Sequence, residues 1–254
     1  MRNPKPRGRA VQSAAPVARL RNFYVAFAVI ALLIVVGVVY NIYGTTAEPV
    51  KTLEATIPAP RNAEIPMGKT DDGRYYLGKP DAAVTVVEYA DYQCPGCAFY
   101  SNSLSAAFEK DFIATGDVRL IFQDFPLAMH VNAVPAAIAA RCAGEQSVGA
   151  FWQFNSLLFT NQTQWKELET AAFKLQTVEY AGQLGLDKTA FAACIELPEN
   201  ERTVRDFQKK SNALGLPGTP SFAVQGAIVD ASSAKSVDDI DALVRAAINK
   251  ALGK

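Results

Sequence analysis

Two cysteines separated by two residues, Cys94 and Cys97, follow directly on a short apolar run and strongly restrict the possible folds. The run, residues 82–90 (AAVTVVEYA), is rich in β-branched residues. It predicts a strand buried on both faces, as in a parallel or mixed sheet. Beyond the cysteines, apolar residues at every fourth position predict an amphipathic helix that begins near Cys94. These residues are Tyr100, Leu104, Phe108 and Phe112.

A helix N-terminus favours a reactive thiol. Its free N–H groups and partial positive charge stabilise a thiolate, so we expect the pKa of Cys94 to fall below its ordinary value of about 8.5. Cys97 lies one helical turn further on, where Cβ atoms are about 5–6 Å apart. A disulfide needs about 3.5–4.5 Å, which modest local adjustment would provide. Pro95 fits an early helical position. Gly96 adds no bulk, so a partner's cysteine can approach Cys94.

Loop length divides the four cysteines of the chain into two kinds of pair. In the chain-entropy description, the short loop closed by a Cys94–Cys97 disulfide is worth roughly 2 kcal/mol, and the long loop closed by Cys142–Cys194 roughly 4 kcal/mol. The first pair is therefore predicted to cycle easily, and the second to form a structural disulfide. Two buried free thiols or a second redox relay are the alternatives for Cys142 and Cys194.

A CxxC motif also occurs as half of a zinc site or as a purely structural disulfide. A zinc site would need another CxxC or a nearby pair of histidines, whereas Cys142 and Cys194 stand alone and His130 is the single histidine. We therefore predict no metal, and no cofactor other than the redox-active Cys94–Cys97 disulfide.

An uncharged apolar run, Phe23–Tyr40, predicts a transmembrane signal-anchor helix at residues 22–43, since about 20 apolar residues cross the hydrocarbon layer. Residues 1–21 form a basic tail without acidic residues and are predicted to stay in the cytoplasm. The folded domain would then lie on the periplasmic side of the inner membrane. A cleaved signal peptide is the alternative, although its apolar region usually has about 7–15 residues. The prolines of residues 44–74 predict a semi-rigid linker.

Charge and compartment restrict the functional class. The 25 basic and 25 acidic residues cancel, so the net charge gives no indication of nucleic-acid binding. All four cysteines follow the predicted anchor, and disulfides persist outside the cytosol. Redox-active or structural pairing of the cysteines is therefore expected.

The order of the predicted elements is strand, helix, strand, several helices, two strands and helix. This order predicts an α/β sheet domain over residues 75–254 with a helical insertion at about 128–214. The last two strands lie close together around Gln225–Gly226 and are predicted to form an antiparallel hairpin.

The segment GKPDAAVTVVEYADYQCPGC, residues 78–97, resembles DsbA-like thiol–disulfide oxidoreductases of the thioredoxin superfamily, in their membrane-anchored or secreted bacterial branch. The resemblance covers about residues 75–254 and extends through four further segments. These are FPLAMHVNAVPAAIAARCA, FWQFNSLLF, LGLDKTAFAAC and ALGLPGTPSFAVQG. It implies a thioredoxin fold with an inserted helical subdomain.

The resemblance also implies roles for particular residues. Cys94 would be the nucleophile and Cys97 the resolving cysteine. A cis peptide bond between Thr219 and Pro220 would face the disulfide, and the Thr219 backbone would pair with an extended substrate as a strand does. Glu88 occupies the position of a buried acid whose raised pKa suits a proton relay for Cys97. The alternative is a glutamate at the strand end that reaches solvent.

One position departs from the best-known periplasmic oxidants, which carry histidine where this chain has Gly96. Cys94 is therefore expected to be less acidic than in those oxidants, and His130 is not an obvious substitute. The preferred function is oxidation of exported proteins, with reoxidation by a quinone-linked membrane partner that is DsbB-like or VKOR-like. A reductase or isomerase of the same fold is the first alternative. A non-catalytic module that binds extended envelope-protein segments is the second.

Overall fold

The computed structural model describes residues 16–43, 53–62 and 64–254, so most of the predicted basic tail and part of the predicted linker lie outside the described residues. The chain divides into two compact units, Met1–Lys51 and Thr52–Lys254. In the first unit, Pro16–Tyr43 forms helix α1. Among the described residues, no helix meets the combined length and apolarity that a membrane crossing requires. The anchor at 22–43 is therefore not confirmed and stays a prediction.

The second unit is built on a six-stranded sheet in the order β1-β2-β4-β3-β5-β6. Strands β3 and β4 are parallel, and the other neighbouring pairs are antiparallel. The strands are β1 Met67–Lys69, β2 Tyr75–Leu77, β3 Val84–Ala90, β4 Val118–Asp124, β5 Ser221–Val224 and β6 Ala227–Ile228. The parallel pair forms the buried centre, as the apolar run 82–90 predicts, and its carboxyl ends meet at one edge of the sheet.

The predicted hairpin at the end of the sheet is confirmed. Strands β5 and β6 pair antiparallel across a two-residue turn in which Gln225 and Gly226 have φ of 50° and 80°. Positive φ at both central residues matches the right-handed twist of the flanking strands, and glycine adopts it without strain.

The crossover from β3 to β4 is helical throughout but irregular. It contains α2 Pro95–Phe99 and α3 Ser105–Phe108, each followed by a π-helical turn, Tyr100–Leu104 and Glu109–Ile113. The π turns alter the helical phase, which leaves Leu104 only half-buried while the other three predicted apolar positions are buried.

Six helices lie between β4 and β5 and form the helical insertion. They are α4 Ala133–Gln146, α5 Val148–Thr160, α6 Gln162–Trp165, α7 Thr170–Gln183, α8 Lys188–Ile195 and α9 Pro198–Ala213. The last helix of the chain, α10 Val237–Ala251, begins with a capping box between Ser236 and Asp239, which satisfies free N–H groups at its first turn. The α/β sheet with a helical insertion is therefore confirmed.

The folded unit also includes residues upstream of the predicted domain start at Tyr75. We call residues 53–62 the strap. Its backbone exchanges paired hydrogen bonds with two amide side chains of the insertion: Leu53 with Gln176 at 2.8 Å in both directions, and Thr56 with Asn161 at 2.8 and 2.9 Å. The prolines of residues 44–74 predict a linker, but they do not reveal these amides, which lie more than a hundred residues further along the chain.

Candidate active site

The Cys94–Cys97 segment lies at the carboxyl edge of the parallel strands. Strand β3 ends at Ala90, and Cys94 is the N-cap of α2 with Pro95 as the first helical residue. Pro95 costs no hydrogen bond there, because the first N–H groups of a helix lack a partner in any case. Both thiols are free, with exposed fractions of 7% for Cys94 and 0% for Cys97. The rim position of Cys94 makes it the thiol that a second protein can reach.

The two thiols have opposite acidities. The hydrogen bond with the Cys97 side chain is the largest effect on the pKa of Cys94, which falls to about 6 although burial opposes the change. Thr219 and the backbone N–H groups of Cys97 and Gly96 lower it further. Burial raises the pKa of Cys97 well above its ordinary value, and the hydrogen bond and charge of Cys94 add to that effect. Near neutral pH, Cys94 is therefore the thiolate and Cys97 the thiol.

A cis peptide bond between Thr219 and Pro220 faces the thiols. When it is protonated, the Cys94 thiol donates to the Thr219 carbonyl at 3.2 Å. The Thr219 hydroxyl is buried and has no hydrogen-bond partner among the described residues, so it is available to the thiolate. A Cβ built on Gly96 would lie 3.2 Å from Pro220 Cδ and 3.7 Å from Cys94 Sγ. The four residues thus enclose one narrow space around the reactive sulfur.

Glu88 lies within β3 with 5% of its surface exposed, so its side chain does not reach solvent. Burial raises the pKa of its carboxyl to about 7, and the charge of Arg61 acts in the opposite direction. The Glu88 charge in turn raises the pKa of Cys97, which places the carboxyl within electrostatic reach of that thiol. A carboxyl with a pKa near 7 can both give and take a proton under physiological conditions.

The helical insertion holds the loop that carries Cys94. Gln162, from α6, donates through Nε2 to the carbonyls of Tyr92 and Cys94, at 2.7 and 2.9 Å. Gln93 donates to the Lys166 carbonyl at 2.8 Å and accepts from the Asn132 N–H at 2.7 Å. These bonds satisfy buried polar groups and fix the approach to α2. Sequence reasoning missed both glutamines, because no local pattern shows which distant carbonyl an amide will reach.

His130 lies beside the loop, and its hydrogen bond is to Asp91 and not to either thiol. Its Nδ1 is 2.8 Å from Oδ2 of Asp91, a buried carboxylate that also accepts from the backbone N–H groups of Gln93 and Leu127. The histidine therefore belongs to the hydrogen bonding that shapes the loop after β3. That it does not replace a histidine at position 96 stays a prediction.

Cys142 and Cys194 form a disulfide between α4 and α8, with Cα atoms 5.7 Å apart. Cys142 is buried, and Cys194 is half-buried. The Asn200 amide donates to the Cys194 carbonyl at 2.8 Å and lies 3.2 Å from the Cys194 sulfur. The Cys142–Cys194 disulfide joins two helices of the insertion and does not involve the loop that carries Cys94.

An acidic rim thiol, a buried partner thiol and a facing cis-proline on a mixed sheet define a dithiol site for thiol–disulfide exchange. The family model described as Thioredoxin matches residues 70–246. The chain belongs to the thioredoxin family, and within it is a DsbA-like thiol–disulfide oxidoreductase.

Similar proteins agree with this assignment. The chain is 28% identical over 169 residues to disulfide bond formation protein D of Bacillus subtilis, covering 62% of this chain and 70% of that protein. It is 30% identical over 160 residues to a putative protein-disulfide oxidoreductase of Rickettsia felis, covering 62% of this chain but only 55% of that relative. The aligned part therefore spans little more than half of the rickettsial protein.

Solved structures show the same fold. BdbD from Bacillus subtilis, in its oxidised form, superposes with a TM-score of 0.59 at 24% identity, covering 70% of this chain and 92% of that chain. Alpha-DsbA1 of Wolbachia pipientis superposes with a TM-score of 0.57 at 20% identity, covering 78% and 96%. The predicted thioredoxin fold with a helical insertion is thus confirmed.

Proposed function

We propose that this protein oxidises exported proteins outside the cytoplasm, and that Cys94 and Cys97 are its redox-active pair. The observation that carries the proposal is the opposite acidity of the two thiols beside cis-Pro220. An acidic Cys94 stabilises the reduced protein and makes its sulfur a good leaving group, and both properties favour oxidation of a client. The name of the Bacillus subtilis relative, disulfide bond formation protein D, supports the same direction.

In the proposed reaction a client thiolate attacks Cys94 of the Cys94–Cys97 disulfide. The sulfur–sulfur bond breaks, Cys97 leaves with the electron pair as a thiolate, and a mixed disulfide joins the client to Cys94. Glu88, as the carboxylic acid, gives its proton to Cys97, whose pKa is far above that of the carboxyl.

A second client thiolate then attacks the client sulfur of the mixed disulfide. Cys94 leaves as a thiolate, the client gains a disulfide, and two electrons remain on the protein as reduced cysteines. We propose that the client lies against Thr219 and Pro220 in extended form, with Pro95 and Gly96 leaving its approach open. The Cys142–Cys194 disulfide has a structural role in this proposal.

The cycle closes when a quinone-linked membrane protein, DsbB-like or VKOR-like, takes the electrons from Cys97 and Cys94. An N-terminal anchor at residues 22–43 would keep the domain close to such a partner. Alkaline carbonate washing of membranes tests the anchor: a full-length chain that stays with the lipid supports it, and release into the wash contradicts it.

The reduction potential of the Cys94–Cys97 pair tests the direction of electron flow. The full-length chain, in detergent, is equilibrated in graded thiol buffers, alkylated and read by intact mass. We expect a value between about −120 and −180 mV, the range of oxidants and isomerases. A value near about −270 mV, as in thioredoxin, would reverse the direction and favour a reductase. If the pair never changes between its oxidised and reduced forms, the alternative of a non-catalytic binding module would be favoured.

A further inference from the structure

The strap brings a positive charge into the core beside the active site. Arg61 forms an ion pair with Glu109, and both side chains are only 13% exposed. Its guanidinium donates to Ser156 Oγ at 3.2 Å and lies 5.1 Å from the centre of the Trp152 ring. Arg61 precedes residue 70, where the family match begins, so the shared family pattern does not account for it.

A series of neighbouring side chains connects Arg61 to Glu88. The Trp152 ring meets the Phe122 ring edge to face, with centres 6.2 Å apart. Phe122 lies opposite Glu88 in the parallel pairing of β3 and β4. Arg61 thus lies against Trp152, Trp152 against Phe122, and Phe122 is the strand neighbour of Glu88.

The charged and titratable groups around Glu88 come from several elements. Tyr92 follows β3, Cys97 lies on α2, Tyr100 lies on the first π turn, and Arg61 lies on the strap. Burial raises the pKa of Tyr92, Cys97 and Tyr100 well above their ordinary values, so all three are neutral near pH 7.

The charge of Arg61 acts on Glu88 and lowers the pKa of its carboxyl. The Arg61 Nε is buried without a hydrogen-bond partner among the described residues, so part of the guanidinium is left unsatisfied. Burial lowers the pKa of Arg61 to about 10, and the side chain is still a cation near neutral pH. Its charge acts on Glu88 through a desolvated region, where electrostatic interactions are only weakly screened.

We propose that Arg61 is a positioning residue for the Glu88 proton relay, and that the strap is therefore part of the active site. The proposal rests on the relay described under the proposed function. When Glu88 gives its proton to the departing Cys97 thiolate, the carboxylate that forms faces a fixed cation. When Cys97 must attack during reoxidation, the carboxylate takes the proton back.

The direct test is the titration of the Glu88 carboxyl in the oxidised full-length chain, where the active-site thiols do not titrate. The probe is the ¹³C signal of labelled glutamate, identified by its loss in Glu88→Gln. The native midpoint is expected near the Glu88 pKa of about 7. In Arg61→Met it should rise by about one pH unit, because an opposite charge nearby lowers a carboxyl pKa by about that amount or more. Arg61→Lys should keep the native midpoint.

Two further variants separate electrostatics from folding. Arg61→Met leaves Glu109 unpaired, so Arg61→Met/Glu109→Gln supplies a neutral version of the same pair. This double variant should show the same rise in the titration midpoint of Glu88. Glu109→Gln alone keeps the Arg61 cation and should leave the midpoint unchanged. An unchanged midpoint in both variants that lack Arg61 would overturn the role of Arg61.

Kinetics distinguish this failure from failure of the relay. The single-turnover reduction of the oxidised chain by excess glutathione should follow the carboxyl titration, and Arg61→Met should move that pH profile upward with it. A reduction rate that is the same in Glu88→Gln as in the native chain would overturn the relay itself. If the reduction rate depends on Glu88 but the Glu88 midpoint is the same with and without Arg61, only the role of Arg61 is overturned.

Discussion

The Cys94/Cys97 pair is buried, the Cys142–Cys194 disulfide is partly buried, and the surroundings of the two pairs differ. Cys94 is the N-cap residue of a helix, faces the Thr219 carbonyl and hydroxyl and has a strongly lowered pKa. Cys142 and Cys194 join two helices of the insertion beside the Asn200 amide. The environment therefore prepares one pair to gain and lose electrons, and uses the other to restrain the chain. Each prediction below tests this difference between a redox-active pair and a structural pair.

The largest difference should appear when single sulfurs are removed. Cys94→Ser is expected to abolish disulfide transfer to a reduced client, because no other thiol is acidic and placed at the rim. Cys97→Ser has no Cys94–Cys97 disulfide to transfer, but its Cys94 thiolate can still attack a client disulfide, with one client sulfur leaving as a thiolate. Without Cys97 to resolve them, the resulting mixed disulfides should accumulate. Non-reducing gels of exported proteins measure both effects.

The double variant Cys142→Ser/Cys194→Ser is the matched control, and should transfer disulfides at the native rate. Loss of transfer in that variant, with the fold intact, would mean that the second pair takes part in the electron path.

The two pairs should also differ in acidity. In the reduced protein, the alkylation rate of Cys94 by iodoacetamide should follow its thiolate fraction, with a midpoint near the pKa of about 6. The rate should therefore be level above pH 7 and fall about tenfold per pH unit well below the midpoint. Mass spectrometry of quenched samples gives the rate at each pH.

Thr219→Val removes the hydroxyl that helps stabilise the thiolate and should raise that midpoint. A native midpoint near about 8.5, the value of a free cysteine, would contradict the acidity assigned to Cys94.

The free energy of unfolding should depend more on the Cys142–Cys194 disulfide than on the Cys94–Cys97 pair. Loss of the Cys142–Cys194 disulfide is expected to lower the free energy of unfolding by about 4 kcal/mol, because it closes a long loop. Reduction of Cys94–Cys97 alone should lower it by no more than about 2 kcal/mol, because that loop is short. Denaturant unfolding of the full-length chain with and without Cys142→Ser/Cys194→Ser measures the first change, and unfolding of that variant with Cys94–Cys97 oxidised and reduced measures the second. Equal losses for the two pairs would remove the distinction.

The smallest effect is expected at Gly96. In Gly96→Ala the added methyl lies 3.2 Å from Pro220 Cδ, which narrows the space beside Cys94. Disulfide transfer to a protein client should slow by about fivefold, equivalent to about 1 kcal/mol. The free energy of unfolding should stay level or rise slightly, since alanine favours a helix. Equal slowing with small thiols would point to strain and not to restricted access.

The sequence predicts the central strand, the hairpin and the order of the elements from β3 onward, because those features depend on local periodicity and turn residues. It does not predict the short strands β1 and β2, which precede β3. The roles of Glu88, Thr219 and Pro220 came from family resemblance and remain proposals, although the structure shows Glu88 buried and the Thr219–Pro220 bond cis. The local pattern alone cannot tell a buried strand-end glutamate from an exposed one.

Other parts of the site were beyond sequence reasoning. Arg61 lies in a stretch that its prolines mark as a linker, and its partners Ser156 and Trp152 are far away in the chain. Gln162 looks like any polar helical residue until its two acceptors are known. Side-chain bonds of this kind depend on tertiary packing, which carries no periodic signal.

The two hydrogen bonds that Gln162 donates have a consequence for protein engineering. A minimal oxidoreductase obtained by trimming the helical insertion would leave the Tyr92 and Cys94 carbonyls without their amide donor. The Cys94 carbonyl would keep the Ala98 N–H as a donor, but the Tyr92 carbonyl would need a new donor or solvent, at a cost of about 1–3 kcal/mol if it stayed buried. Any miniaturised or grafted version of this catalyst must therefore transplant Gln162 together with the cysteine loop.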